Sequence, residues 1–125
     1  ALRFADRRLG RSSRGERALR ALAEGGLARF ERRLPAAMSG GEQQRVAIAR
    51  AIVAEPALVF ADEPTGSLDQ ATGHQVFDLL RALRDSGTTV VFITHAPSLA
   101  ERCDRIVEML DGRVDGVRAG TASVA

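Results

Sequence analysis

Two short apolar segments on either side of a helix-forming stretch constrain the fold of this chain more than any other feature. Residues 57–61 (Ala-Leu-Val-Phe-Ala) and 88–93 (Thr-Thr-Val-Val-Phe-Ile) are uninterrupted runs of β-favouring residues, a pattern typical of strands buried on both faces. Between them, the spacing of apolar residues predicts an amphipathic helix over 70–85, which Gly87 ends. A strand, a helix and a second strand form a βαβ unit, whose strands are parallel and joined by a right-handed crossover. We therefore expect an α/β fold.

The segments on either side of this unit predict helices before it and a β-hairpin after it. Apolar residues at helical spacing over 15–33 predict two short amphipathic helices, separated by Gly25 and Gly26, and a further helix is expected over 42–54. After the second strand we expect a short helix, two strands joined by a tight turn, and a mobile tail of small residues. The helix is predicted at 97–103, the strands at 105–110 and from the turn at 111–112 through 117, and the tail at 119–125.

Polar residues follow both predicted strands directly. Asp62 and Glu63 come after the first strand, and Thr94 and His95 come after the second. Because parallel strands have their carboxyl ends at the same edge of a sheet, these residues are expected to lie side by side, where open α/β sheets bind ligands. One of two adjacent carboxylates can hold Mg²⁺ while the other orients or deprotonates a water, and a nearby histidine can stabilise a terminal phosphate. Taken alone, an Asp-Glu-Pro sequence is more often a strand-ending turn, and a single histidine is more often an ordinary loop residue.

A serine and two glycines before the helix predicted over 42–54 indicate a second place for an anion. Ser39 is suited to cap this helix, and Gly40 and Gly41 follow it. Backbone N–H groups at such a helix start are free to face an anion, and the helix dipole adds partial positive charge there. On its own, Ser-Gly-Gly is a simple loop in most proteins. It indicates an anion site here only because it precedes the two strands that end in Asp62-Glu63 and Thr94-His95.

All 18 basic residues of the chain are arginines, so these residues include no lysine. Chemistry that needs a lysine ammonium, such as phosphate binding by a P-loop lysine, is therefore excluded within them. Residues 1–33 carry ten arginines and four acids, net +6, whereas residues 34–125 carry eight arginines and twelve acids, net −4. A solvated helical face explains the basic segment more simply than contact with nucleic acid or phospholipid.

Cys103 is the single cysteine, which excludes an internal disulfide and favours the cytosol.

Taken together and in order, these motifs resemble the second half of an ATP-binding cassette (ABC) ATPase. Residues 38–45 (Met-Ser-Gly-Gly-Glu-Gln-Gln-Arg) resemble the signature motif of the family, and residues 58–63 (Leu-Val-Phe-Ala-Asp-Glu) resemble its Walker B strand. Residues 67–69 (Ser-Leu-Asp) match the D-loop, and His95 matches the switch histidine. The segment 61–69 is similar to that of the ATPases for lipoprotein release and macrolide export.

The resemblance also implies a fold and a division of the chain. It implies the C-terminal part of a P-loop NTPase-like α/β core together with part of a helical subdomain. Residues 1–37 would be the remnant of the helical subdomain, residues 38–114 would run from the signature motif to the strands after the switch histidine, and residues 115–125 would be a tail.

Each matched residue takes an implied role from the resemblance. In the family, two cassettes meet head to tail, and the signature motif of one closes on nucleotide held by the other. Asp62 would be the Mg²⁺ ligand, Glu63 the base that polarises the hydrolytic water, and His95 the contact to the γ-phosphate. The residues implied in nucleotide binding at the interface are Ser39, Gly40, Gly41, Glu42 and Asp69. The implied cofactors are ATP and Mg²⁺.

The function implied by the resemblance is ATP hydrolysis that powers a membrane transporter from the inner face of the cell membrane. The expected partners are a second ABC ATPase subunit and a transmembrane permease, and no nucleic acid is expected. The family also needs a Walker A loop, G-x-x-x-x-G-K-[ST], which a chain without lysine cannot contain. We therefore expect a C-terminal fragment that binds nucleotide weakly and does not turn over alone.

Two other functions stay open at this point. One is a non-catalytic half-cassette that donates its signature motif to a complete partner. The other is a DNA-repair type of ABC ATPase that uses the arginine-rich segment 1–33, although only Phe4 and Phe30 could stack on bases there.

Without the preceding part of the sheet, the strands at 58–60 and 90–93 are expected to expose apolar faces, which favours marginal stability and association.

Overall fold

A computed structural model describes residues 11–123 as a βαβ unit with helices before it and a hairpin after it. This architecture is the predicted α/β class. In chain order, the elements are α1 (Arg11–Glu24), α2 (Gly40–Ile52), β1 (Leu58–Asp62), α3 (Gln70–Asp85), β2 (Thr89–Ile93), α4 (Pro97–Ala100), β3 (Arg105–Leu110) and β4 (Arg113–Ala119). Single 3-10 turns lie at Pro35–Ala37 and Thr121–Ser123.

The βαβ unit has the predicted topology. Strands β1 and β2 are parallel neighbours, in register from Leu58 opposite Thr89 to Asp62 opposite Ile93. Helix α3 packs against this pair, with the Phe77 ring edge-on to Phe92 at a centroid distance of 5.2 Å. The core lies between α1, α2, α3 and the strands, and its buried members are Ala21, Ile48, Ala49, Ile52, Val53, Ala61, Val76, Leu80 and Leu83.

The two parallel strands are covered on one face only. In β1, Val59 and Ala61 are buried, whereas the alternating residues Leu58 and Phe60 are exposed, Phe60 to 68%. The prediction that both faces of these strands are buried is therefore wrong for the described residues, because α3 and its neighbours cover one side. The expectation of exposed apolar faces is confirmed. We call the exposed side the open face; it consists of Leu58, Phe60, Val91 and Ile93.

The glycine pair after α1 ends the helix as predicted. Gly26 has a φ of 68°, and the N–H of Leu27 donates to the carbonyl of Leu22 at 2.8 Å, a C-capping arrangement. The second helix predicted before residue 33 is wrong, since residues 27–33 form turns. Arg29 adopts a left-handed φ of 74°, which breaks a right-handed helix, and the turn buries Leu27 completely.

The hairpin after α4 follows the prediction closely and extends beyond it. Asp111 and Gly112 have φ values of 48° and 74°, the left-handed pair that a two-residue hairpin turn requires. Strand β4 continues to Ala119 instead of ending at 117, so the tail boundary predicted at residue 115 falls inside the strand. The N–H of Gly120 donates to the carbonyl of Asp104 at 3.0 Å, so this part of the predicted mobile tail is anchored. Residues 124–125 lie outside the described part.

Two helices of the structure differ from their predicted ranges, one by a shift along the chain and one in length. Helix α2 begins at Gly40 and ends at Ile52, two residues earlier at both ends than predicted. Helix α4 covers only 97–100 of the predicted 97–103. Among the described residues, no helix combines the length and the apolar composition needed to cross a bilayer.

Candidate functional site

The carboxyl edge of the parallel strands brings three of the predicted site residues together. Glu63 directly follows β1, and its N–H donates to the carbonyl of Ile93 at 3.0 Å, which extends the strand pairing by one residue. His95 Nε2 lies 3.3 Å from Glu63 Oε1. Asp62 is the last residue of β1, directly before Glu63 and opposite Ile93 of β2. The parallel topology thus positions the pair of carboxylates and the histidine at one edge, as expected.

Glu63 is held in an unusual conformation with an unused acceptor. Its φ is 44°, a left-handed value that is uncommon for a residue with a side chain. Its carbonyl accepts a hydrogen bond from the N–H of Gly66 at 3.2 Å. Oxygen Oε1 is buried and accepts no hydrogen bond among the described residues; His95 approaches it closely, but without hydrogen-bond geometry. A buried carboxylate oxygen without a donor is a ready acceptor for a water.

Asp62 is exposed at the strand end, and its carboxylate makes no hydrogen bond or ion pair with the described part of the chain. Within residues 11–123, no three His, Cys, Asp or Glu side chains gather as a metal site. Mg²⁺ prefers six oxygen ligands, few of them from protein, with water and phosphate oxygens supplying the rest. The donor set at Asp62 therefore fits a Mg²⁺ that arrives with a phosphate ligand.

The start of α2 is organised by reciprocal capping. Ser39 Oγ accepts from the N–H of Glu42 at 3.3 Å, and the N–H of Ser39 donates to Glu42 Oε2 at 2.8 Å. The Ser39 and Glu42 side chains are thus used within the helix start. The N–H groups of Gly40 and Gly41 have no acceptor among the described residues. These two N–H groups are the ones available to an anion.

The sequence motifs do not assign a role to Gln43, yet its side chain holds residues 35–38, which lead into α2. Its Nε2 donates to the carbonyls of Pro35 and Met38, each at 3.1 Å. An amide one residue beyond a capping box is a weak signal for such a contact, because glutamine is also a common surface residue of helices.

Asp69 caps α3. Its Oδ1 accepts from the N–H of Thr72 at 3.0 Å and its Oδ2 accepts from the Thr72 hydroxyl at 2.6 Å. The hydroxyl hydrogen bond, and then the N–H bond, hold the pKa of Asp69 below its ordinary value, so the carboxylate is charged at neutral pH. The nucleotide contact predicted for Asp69 stays a prediction.

Ion pairs fix the segment that follows His95. Arg118 donates to both carboxylate oxygens of Glu101, at 3.0 and 2.6 Å, and this pairing lowers the pKa of Glu101. Arg84 pairs with Asp104, which lowers the pKa of that carboxyl as well. The loop after α4 is thus tied to β4 on one side and to α3 on the other.

The predicted site residues form two separate groups. The edge group is Asp62, Glu63 and His95. The helix-start group consists of Ser39, Gly40, Gly41 and Glu42 at the start of α2 and Asp69 at the start of α3; the two helix starts pack together where Thr72 lies against Gly41. Among residues 11–123, no hydrogen bond or ion pair joins the two groups.

Comparison with known proteins decides the family. Residues 3–66, just over half of the chain, match the family model described as ABC transporter. The chain belongs to the ABC transporter family. The match includes the segments 38–45 and 58–63, whereas the segment 67–69 and His95 lie beyond its end at residue 66.

The most similar ABC proteins include cassettes for lipoprotein release and macrolide export. The chain is 48% identical over 93% of its length to the ABC transporter ATP-binding protein YknY of Bacillus subtilis, covering 50% of that protein. It is 56% identical over 71% of its length to the lipoprotein-releasing system ATP-binding protein LolD of Bordetella pertussis, covering 39%. It is 43% identical over 85% of its length to the macrolide export ATP-binding/permease protein MacB of Neisseria gonorrhoeae, covering 16%.

Solved structures place the fold in the same family. The ABC cassette MJ0796, in a dimeric post-hydrolysis state bound to ADP and phosphate, superimposes with a TM-score of 0.80 at 39% identity. The alignment covers 94% of this chain and 52% of that one. The chain therefore spans about half, or less, of the length of the relatives it matches.

Proposed function

We propose that this chain is the C-terminal part of an ATP-binding subunit that hydrolyses ATP to power a membrane transporter. The motifs at 38–45, 58–63, 67–69 and His95 support ATP hydrolysis, and the similarity to LolD and MacB supports a transporter for lipoproteins or other exported molecules. Its partners would be a second ABC subunit and a permease, which would hold it at the cytoplasmic face of the membrane.

The observation that carries the proposal is the buried Oε1 of Glu63, which has no hydrogen-bond donor and lies 3.3 Å from His95. Glu63 would accept a hydrogen bond from the attacking water and take up its proton. His95, whose side chain is 97% exposed, would be free to reach the terminal phosphate. The left-handed turn at Glu63 supports this role, because strained backbone concentrates at functional sites.

Asp62 would hold Mg²⁺ at this edge. When bound, the ion would neutralise charge on the phosphates during transfer. Asp62 has no other partner in the described part of the chain, so its carboxylate is free to act as a ligand of the ion.

The helix-start group would serve the nucleotide of the second cassette. The unpaired N–H groups of Gly40 and Gly41, reinforced by the α2 dipole, would contact its γ-phosphate. Since these 125 residues contain no lysine, the P-loop lysine must be supplied by residues outside them. We therefore expect the chain alone to bind ATP weakly and not to hydrolyse it.

The test uses a joined cassette, in which a segment of an ABC ATPase that carries a G-x-x-x-x-G-K-[ST] loop is fused ahead of residue 1. Mg²⁺-dependent ATP hydrolysis is expected in this protein, and Glu63→Gln should reduce kcat by roughly 100-fold or more, the contribution of a general base. The matched control is Glu31→Gln at an exposed position, which should leave the rate unchanged.

Three outcomes would contradict parts of the proposal. Unchanged hydrolysis in Glu63→Gln would remove Glu63 from the base role. Hydrolysis by the unfused chain would contradict the need for an external P-loop. A chain that never supports hydrolysis, but binds a complete ABC cassette through Ser39 and Gly41, would favour the non-catalytic half-cassette instead.

A further inference from the structure

Thr72, on the first turn of α3, contacts the start of α2 through its methyl group. Gly41 is buried, and a Cβ placed on it would overlap Thr72 Cγ2. The methyl group therefore fills the space that a side chain at Gly41 would need. The two helix starts are packed directly against each other at this point.

The hydroxyl and the N–H of the same residue bind the D-loop carboxylate. Thr72 Oγ1 donates to Asp69 Oδ2 at 2.6 Å, and its N–H donates to Asp69 Oδ1 at 3.0 Å. Thr72 thus contacts the buried Gly41 of α2 through its methyl group and binds Asp69 through its hydroxyl and its backbone N–H.

The neighbouring contacts extend this connection on both sides. A Cβ on Gly40 would lie 3.6 Å from Leu68 Cδ2, and a Cβ on Gly73 would lie 3.5 Å from Thr65 Cβ, within the turn that follows Glu63. The first turn of α3 is therefore packed between the helix-start group and the turn after the edge group. Close-packed contacts of this kind transmit small displacements instead of absorbing them.

We propose that Thr72 is a positioning residue that fixes the start of α2 relative to Asp69. Its methyl sets the position of Gly41, and its hydroxyl sets the orientation of the Asp69 carboxylate. The N–H groups of Gly40 and Gly41 therefore keep a fixed position and orientation relative to Asp69 in the D-loop. The consequence for nucleotide contact rests on the proposed function, whereas the positioning itself does not.

Only threonine provides both contacts at this site. Serine keeps the hydroxyl and lacks the methyl, and valine keeps the methyl and lacks the hydroxyl. The two substitutions therefore separate the two halves of the proposal within the same backbone position.

The test measures amide hydrogen exchange and the pKa of Asp69 by NMR in the 125-residue chain without nucleotide. In Thr72→Ser, the amides of Glu42 and Gln43 should exchange about four-fold faster, which corresponds to the loss of one buried methyl group. In that variant the pKa of Asp69 should stay low, because the hydroxyl donor is retained. In Thr72→Val, the pKa of Asp69 should rise toward its ordinary value.

The controls distinguish positioning from a general loss of stability. Thr89→Ser removes a methyl from an exposed threonine of β2 and should leave the Glu42 and Gln43 amides unchanged. Faster exchange in Thr72→Ser that is equal at Val76 and Leu80 in the core of α3 would overturn the proposal, as would unchanged exchange at Glu42 and Gln43. Because nucleotide is absent, failure here is separate from failure of the ATPase assays.

Discussion

Replacing Gly41 by alanine tests the contact between the two helix starts most sharply. The new Cβ would overlap Thr72 Cγ2, and the site is buried, so one of the two helices must shift. Overpacking of this kind costs about 1–3 kcal/mol, while alanine regains about 0.5–1 kcal/mol of helix propensity over glycine. The central values of these two ranges predict that Gly41→Ala lowers the free energy of unfolding by about 1 kcal/mol.

The matched control is Gly15→Ala in α1, where a Cβ would meet nothing within 4 Å. This change should raise the free energy of unfolding by about 0.5–1 kcal/mol, since only the propensity gain applies. Urea denaturation followed by circular dichroism measures both variants. Adding Thr72→Ser to Gly41→Ala removes the overlapping methyl, and should recover about half or more of the loss. If Gly41→Ala is as stable as Gly15→Ala, the packing argument is refuted.

Other consequences of the structure can be measured in the same chain. The pKa of Glu101 is lowered by its pairing with Arg118, so this pairing stabilises the fold at pH values above the ordinary carboxyl pKa, and the stabilisation is lost as pH falls through the pKa of the folded state. Glu101→Gln should therefore make the free energy of unfolding less dependent on pH on the acid side. An unchanged slope would contradict this. Ser39→Ala should cost about 1 kcal/mol of stability in urea denaturation through loss of the α2 cap. Phe60→Ser on the open face should reduce self-association, measured by light scattering. It should change the stability of the monomer little, because the ring is already 68% exposed. If the variant associates as strongly as the original chain, the open face does not cause the association. His95→Ala should leave the urea midpoint unchanged, since the imidazole is almost fully exposed, but should slow hydrolysis in the joined cassette.

The sequence predicts the parts of the fold that follow from the order of the segments and from residues with special backbone preferences. The parallel pairing of β1 and β2 follows from two apolar runs around one helix, and it brings Glu63 and His95 together. The left-handed turns at Gly26 and at Asp111-Gly112 follow from residues that tolerate positive φ.

Features that depend on partners distant in sequence were not predictable in the same way. The contact between Gly41 and Thr72 joins residues on different helices, and no periodicity reveals it. The segment 27–33 has helical spacing, yet burial of Leu27 in a turn outweighs that propensity. A continuous apolar run in a strand is buried on both faces only when other elements cover both faces of the sheet. Among the described residues, helices cover one face of β1 and β2, and the open face stays exposed.

Subunit mixing in the joined cassette tests most directly whether the edge group and the helix-start group serve different nucleotides, as proposed. Glu63→Gln disables the edge group, and Gly40→Asp places a carboxylate where the helix start would meet phosphate. Each variant alone should be inactive in single-turnover ATP hydrolysis. In a head-to-tail dimer, mixing them equally should restore about one quarter of the unmodified rate, because half of the dimers are mixed and each has one intact site of two. A mixture that stays as inactive as its components would contradict the claim.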